Sequence, residues 1–379
     1  MTEPTAPAAG ESASAPITYA DAGVDTEAGD KAVELMKEAV SRTHGPEVLG
    51  GVGAFAGLFD ASALKDYQRP LLASSTDGVG TKIVIAREMG VHDTIGQDLV
   101  AMVVDDIVVC GARPLVMTDY IACGRVVPER IADIVRGIAE GCEMAGVALV
   151  GGETAEHPGV MEPDDYDVAG AAIGVVEADA LLGAERVRAG DVVVAMASSG
   201  LHSNGYSLVR RVAAHAGWGL DDHAAELGRT VGEELLEPTR IYSRLCVDLA
   251  DIHPGLRAFS HVTGGGLAAN VARVIPAGLA ATVRRDAWDL PAVFSLVQAA
   301  GSVPWHDLES TLNMGVGMVA IVAPEDADAL VSSSEAAGVL AWTLGEIVAD
   351  DGRATGPDVV RGAKGVDGGA VLLSGAYRA

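Results

Sequence analysis

The chain has 379 residues, a length that accommodates two domains of ordinary size. Its 53 Asp and Glu against 26 Lys and Arg leave a formal charge of −27, which disfavours nucleic acid and anionic membranes, since both are gripped mainly through Lys and Arg. Its four cysteines form no Cys-x-x-Cys pair, so a zinc site and a disulfide framework are both unexpected.

No apolar run reaches the ~18 residues of a membrane span. The first residues lack a basic stretch followed by an apolar one, so the expected location is the cytoplasm. Residues 1–16, mostly Ala, Pro, Ser, Thr and Glu, read as a disordered tail. Residues 28–43 place Val33, Met36 and Val40 on one stripe of an amphipathic helix. The cluster Gly50 to Gly57 contains a G-x-G-x-x-A string without a strand before it, so it does not read as a Rossmann turn. A loop folding over a nucleotide fits better, with Gly51 and Gly53 as its contacts.

A short buried strand over Pro70–Ser75 leads into Thr76-Asp77-Gly78-Val79-Gly80-Thr81-Lys82. Here Asp77 is expected at a strand end, Gly78 and Gly80 permit close backbone approach, and Thr81 and Lys82 can donate to phosphate. The same letters also suit an ordinary turn capped by an Asp. Residues 96–110 read as an apolar helix carrying Asp105 and Asp106. Adjacent helical residues point roughly 100° apart, so one acid can bind a metal while the other faces water or caps a neighbour. Leu115–Ala122 reads as a strand, and Pro128 opens a helix running to about Ala145. The strand Val147–Val150 precedes Gly151-Gly152-Glu153-Thr154, again a carboxylate after glycines, and Val168–Val176 is a further strand.

A link over Leu181–Asp191 then separates an N-terminal domain, residues 17–182, from a C-terminal one, residues 183–349. Strands are expected near 192–197, 279–284, 314–322 and 340–348, and helices near 203–216, 238–250, 265–274 and 291–300. Ser199-Gly200-Leu201-His202-Ser203-Asn204 joins a strand to a helix, with Ser203 and Asn204 as caps and His202 free to meet a substrate. His261-Val262-Thr263-Gly264-Gly265-Gly266 precedes another helix. Residues 350–379 read as a loosely packed extension. No serine or cysteine nucleophile with its base is visible.

As an ordered set, these motifs resemble the phosphoribosylformylglycinamidine cyclo-ligase (AIR synthetase) family from about Tyr19 to Val348. Tyr19 to Asp25, Pro46 to Val48, Asp165 to Gly170, Leu236 to Arg240 and Asn313 to Met318 add to those quoted above. The resemblance implies a mixed α/β, two-domain fold, with two N-terminal domains pairing across a homodimer into a β-barrel. It implies ATP and Mg²⁺, and formylglycinamidine ribonucleotide as substrate. ATP would phosphorylate the formyl amide oxygen, and the substrate's own nitrogen would then attack that carbon, expelling phosphate. It assigns metal roles to Asp77, Asp106 and Glu153, and nucleotide contacts to Gly51, Gly53 and Asp77 to Lys82. Lys82, Asp106 and His202 become the catalytic candidates, and Glu153, Thr154, Ser199, Gly200, His202, Ser203 and Asn204 the substrate contacts.

The chain departs from the family's usual letters at Asp105, His157, Asp307, Leu308 and Leu312. The alternatives are other ATP-using relatives. Selenophosphate synthetases carry an N-terminal reactive cysteine, and none precedes Cys110. Formylglycinamidine ribonucleotide synthetases need further domains or partner subunits, and a non-catalytic nucleotide-binding relative would carry a C-terminal cysteine, whereas the last one here is Cys246; thiamin-monophosphate kinases are the remaining reading.

Overall fold

A computed structural model describes residues 22–363 and 368–378, so the tail expected over residues 1–16 lies outside the described residues. The N-terminal half begins with α1 (Thr26–Arg42), capped by the Asp25 carboxylate, which accepts the Ala28 N–H at 3.0 Å. The elements β1 (Pro70–Gly78), α2 (Thr94–Val108), β2 (Arg113–Cys123), α3 (Pro128–Ala145), β3 (Ala148–Glu156) and β4 (Tyr166–Glu177) follow. The strands form one sheet in the order β1-β4-β2-β3, antiparallel except for the β2–β3 pair.

α2 and α3 lie against one face of this sheet and cross closely. A Cβ on Gly96 would stand 2.2 Å from the Ile138 amide nitrogen, and one on Gly137 would stand 1.7 Å from the Asp93 carbonyl, so only glycine fits at either contact. The opposite face is open, with Leu72, Tyr120 and Ile173 exposed on neighbouring strands.

The C-terminal half builds a seven-stranded sheet. Its elements are β5 (Val192–Ala197), α4 (Tyr206–Ala216), α5 (Ser243–Ile252), β6 (Leu256–His261), α6 (Gly266–Ala272), β7 (Leu279–Arg284), α7 (Ala292–Gly301), β8 (Val316–Val322), α8 (Ala327–Ala336), β9 (Ala341–Ala349), β10 (Val359–Arg361) and β11 (Ala370–Ser374). The strand order is β6-β8-β5-β9-β7-β11-β10. β8 is buried along its whole length, as its run Val-Gly-Met-Val-Ala-Ile-Val suggests.

Three expectations change. β3 does not stop at Val150: it runs through both glycines to Glu156, paired in parallel with β2, so Glu153 lies within a strand rather than in a glycine turn. The strand β6 was not read from the sequence, because Arg257, Ser260 and His261 break its apolar pattern although most of the strand is buried. The segment read as a loose extension contributes β11, which pairs in parallel with β7 and buries Ala370 and Val371.

Candidate functional site

α2 is the element around which the site is built. Asp98, Met102, Asp105 and Asp106 recur at helical spacing and face the C-terminal half. Asp98 is fully buried. One of its oxygens accepts from Lys82 Nζ at 2.8 Å, the Thr239 N–H at 2.7 Å and the Thr239 hydroxyl at 2.6 Å. Met102 sulfur receives the Asn204 amide at 3.2 Å. Asp105 accepts the Tyr242 N–H at 3.0 and 3.1 Å. The acids of one helix thus hold the irregular segment 236–242, which precedes α5. That engagement explains why α5 starts at Ser243 rather than near 238.

The adjacent acids divide as helical geometry requires. Asp105 is buried, and burial is the main cause that pushes its carboxyl up to about 7, with the Asp106 charge adding to it against His261 and backbone donors. Asp106 is 40% exposed at its side chain and accepts from His261 Nδ1 at 2.9 Å. Burial alone would lower the His261 pKa, but the Asp106 bond and the charges of Asp105, Asp106 and Asp77 outweigh it and raise it. Asp77 stands near the end of β1, exposed as a residue but with its carboxyl partly shielded from water. Burial is the largest cause of its raised pKa; the Gly78 N–H, which donates to it at 2.7 Å, opposes the rise, while the Asp106 charge adds to it. Asp77, Asp106 and His261 therefore form one electrostatic cluster.

A stability test follows from Asp105. Its folded pKa lies above its unfolded value near 3.8, so the folded state holds this proton more tightly. The stabilisation is full below about pH 4 and is lost as pH rises through about 7. Asp105→Asn is therefore expected to gain on the wild type between pH 4 and 8, by on the order of a few kcal/mol, in urea unfolding at each pH. A difference that stays constant across that range would refute it.

Glu153 is not part of that cluster. Strand register places Asp77, Gly170, Asp119 and Gly152 in one row across the sheet, so Asp77 and Gly152 occupy its two edge strands. Side chains alternate along a strand, so Glu153, opposite Tyr120, points to the open face while Asp77 points to the helix face. Among the described residues no group of three or more His, Cys, Asp or Glu is arranged to hold a metal ion. The three expected metal ligands do not meet within one chain.

Lys82 also differs from expectation. Its ammonium is fully buried, held by Asp98, by the Glu237 carbonyl at 2.6 Å and over the Tyr206 ring at 5.6 Å from the centroid. It is engaged between the two halves rather than offered to phosphate. Thr81 stays near the surface, its hydroxyl 3.2 Å from that of Ser207, and Gly80 takes φ +69°.

The loop Ser198–Gly205 is held by its own side chains. Ser199 Oγ donates to the Pro238 carbonyl at 2.6 Å and accepts the Arg240 N–H at 3.1 Å. Ser203 Oγ lies 3.0 Å from Thr239 Oγ1 and the Asn204 amide goes to Met102, so neither is the helix cap the letters suggest; Gly205 stands at that position without a side-chain bond. The Gly200 carbonyl accepts from Ser198 Oγ and Asn313 Nδ2. His202 sits at φ +62°, an uncommon conformation for a residue with a side chain, and is 1% exposed. Its Nε2 accepts the Ser199 N–H at 3.2 Å, so the neutral ring carries its proton on Nδ1. Burial, then the charges of His261, Lys82 and Arg240, hold its pKa well below the ordinary value. Among the described residues, His202 Nδ1 and His261 Nε2 are both buried without a partner. The sequence reading placed His261 in a glycine motif but gave it no role; its position immediately before three glycines was the available signal.

A cavity of about 240 Å³ lies between α1, β3 and the Gly50–Gly57 loop. Gly51 and Gly53 line it together with apolar residues of α1, and so do Gly152, Glu153 and Thr154. Phe55, at the tip of the loop, is fully exposed.

Comparison with known proteins adds the family. Residues 59–176 match the model of the AIR synthase related protein, N-terminal domain, and residues 188–356 that of the C-terminal domain. A phosphoribosylformylglycinamidine cyclo-ligase of Desulfitobacterium hafniense is 51% identical over 330 residues, 87% of this chain and 96% of that protein. One of Anaeromyxobacter is 49% identical over 345 residues, covering 89% and 98%. Among solved structures, thiamine-monophosphate kinase from Stenotrophomonas maltophilia aligns with a TM-score of 0.63 at 18% identity, covering 90% and 96%. The hydrogenase maturation protein HypE of E. coli gives 0.62 at 18%, covering 93% and 95%. At such identities these two structures speak to fold alone.

Proposed function

The chain belongs to the phosphoribosylformylglycinamidine cyclo-ligase family, and we infer that it catalyses that family's reaction, the ATP-dependent closure of formylglycinamidine ribonucleotide to 5-aminoimidazole ribonucleotide in purine biosynthesis. The observation that carries this is the 51% identity extending over 96% of the relative, through both halves of the chain. In this reaction the nucleophile is a nitrogen of the substrate itself. A protein nucleophile is then unnecessary, and the protein's task is to position the substrate and stabilise charge.

The residues suit that task. Asp77 and Asp106 supply hard oxygen donors, and His261 fixes the orientation of Asp106, so these two carboxylates fit a Mg²⁺ ion that keeps several waters. When bound, the ion would neutralise charge on the transferring phosphoryl oxygens. Glu153, on the other sheet face, would act on a different part of the bound reactants. His202, neutral and buried, would hold the Ser199–Asn204 loop in the shape that meets the substrate. The cavity under the Gly50–Gly57 loop would take the nucleotide base.

The test is direct. The purified protein with Mg-ATP and formylglycinamidine ribonucleotide is expected to release one ADP per aminoimidazole ribonucleotide, detected as a diazotisable amine. Absence of that amine, with ATP turnover on thiamin monophosphate instead, would sink the assignment.

The homodimer belongs to the same reading. The sheet face opposite α2 and α3 exposes Leu72 at 65%, Tyr120 at 41% and Ile173 at 41%, an apolar face that a second sheet would cover. Ile173→Lys is expected to convert the wild-type dimer to monomer in sedimentation velocity. A wild type that sediments as a monomer would exclude the barrel.

A further inference from the structure

Asp119 has no part in the chemistry described so far. It lies midway along β2, 9% exposed, with its side chain on the helix-covered face. Its carboxyl rests against Gly152 on the neighbouring strand, where a Cβ would stand 2.3 Å from Oδ1. That contact gives the second glycine of the pair a reason: any side chain there would push Asp119 aside. Among the described residues only its own backbone N–H supports the carboxylate. A buried carboxyl without a cationic partner is costly, burial pushes this one up to about 7, and a hydrogen-bond donor on a ligand would offset that cost.

The carboxyl opens onto the cavity beneath the Gly50–Gly57 loop. Ala32, Met36, Val52, Val135 and Leu149 form apolar walls of the same cavity. A slot walled by apolar side chains, with the carboxyls of Asp119 and Glu153 on its lining, disfavours phosphate and suits a flat ring bearing a hydrogen-bond donor on its edge. Adenine carries its amino donor at position 6, whereas guanine has a carbonyl oxygen there and its donors at N1 and position 2, so a guanine ring would have to shift along the slot to meet the same carboxylate. We propose that Asp119 selects the adenine base, its carboxylate accepting a hydrogen bond from the 6-amino group. This rests on the reading of the cavity as the site of the nucleotide base.

The test compares three nucleotides on the full chain by calorimetry in the presence of Mg²⁺: ATP, GTP and purine riboside triphosphate, which has only hydrogen at position 6. The wild type is expected to bind ATP roughly 10- to 100-fold more tightly than purine riboside triphosphate, and GTP more weakly still. Asp119→Ala is expected to bring ATP down to the level of purine riboside triphosphate, whose own binding stays within about twofold. Asp119→Asn keeps the shape but offers an amide donor as well as an acceptor, so GTP is expected to gain on ATP. Ala32→Trp, which fills the slot, is expected to weaken all three alike.

If Ala32→Trp blocks all three nucleotides while both Asp119 variants keep wild-type selectivity, the cavity is right and the role of Asp119 is overturned. If Ala32→Trp leaves ATP binding intact, the base lies elsewhere and the proposal falls with the cavity reading.

Discussion

Lys82→Met is expected to destabilise the fold by about 3–5 kcal/mol, because it leaves Asp98 buried without its cation. That is a large share of the stability of a typical domain. The wild-type pair is supported on both sides: Asp98 also takes two donors from Thr239, and Lys82 also reaches the Glu237 carbonyl. The cost arises from the charge left behind rather than from the net worth of the pair, so removing both charges should be milder. Lys82→Met with Asp98→Asn is expected to recover most of the melting temperature. The double variant separates two readings of Lys82. An ammonium that holds the two halves together gives back activity along with the fold. A phosphate-binding ammonium, as the letters Gly-Thr-Lys suggest, leaves the refolded double variant inactive. A Lys82→Met protein that melts with the wild type would refute the structural account.

Lys82 also shows where sequence reading runs out. Burial of a lysine depends on a partner 16 residues away, Asp98, and on a carbonyl 155 residues away, neither of which leaves a local pattern. Strands and helices with a clear period were legible: α3 and β7 occupy the expected residues, because Pro128 and the Leu279–Arg284 run are local signals. The division of labour between Asp105 and Asp106 was half legible. Their angular separation follows from helix geometry, but which acid faces the Tyr242 amide depends on how the second half docks. The turn expected at Gly151 and Gly152 failed for a different reason. Paired glycines usually end a strand, and here they continue one, because Gly152 makes room for the Asp119 carboxyl. His261 sat in view and lacked only its partner.

The other large effect is expected at Asp106. Asp106→Asn should lower kcat/KM by at least roughly 100-fold and raise the Mg²⁺ concentration needed for half-activity, since a neutral amide is a poor ligand for a hard cation. Asp105→Asn should change kcat/KM far less, because its carboxyl is fully buried and engaged with the Tyr242 N–H. His261→Ala is the informative third variant. His261 acts on Asp106 from behind, through a 2.9 Å bond, so its loss should weaken apparent Mg²⁺ affinity by roughly 10- to 100-fold, with activity restored by excess Mg²⁺. If His261 instead exchanged a proton with the substrate through its free Nε2, excess Mg²⁺ would rescue nothing and the pH profile of kcat would lose a limb. The rescue experiment therefore decides whether the histidine holds a ligand in place or takes part in the chemistry. Equal losses in the two aspartate variants would show that the exposed acid of α2 was wrongly chosen.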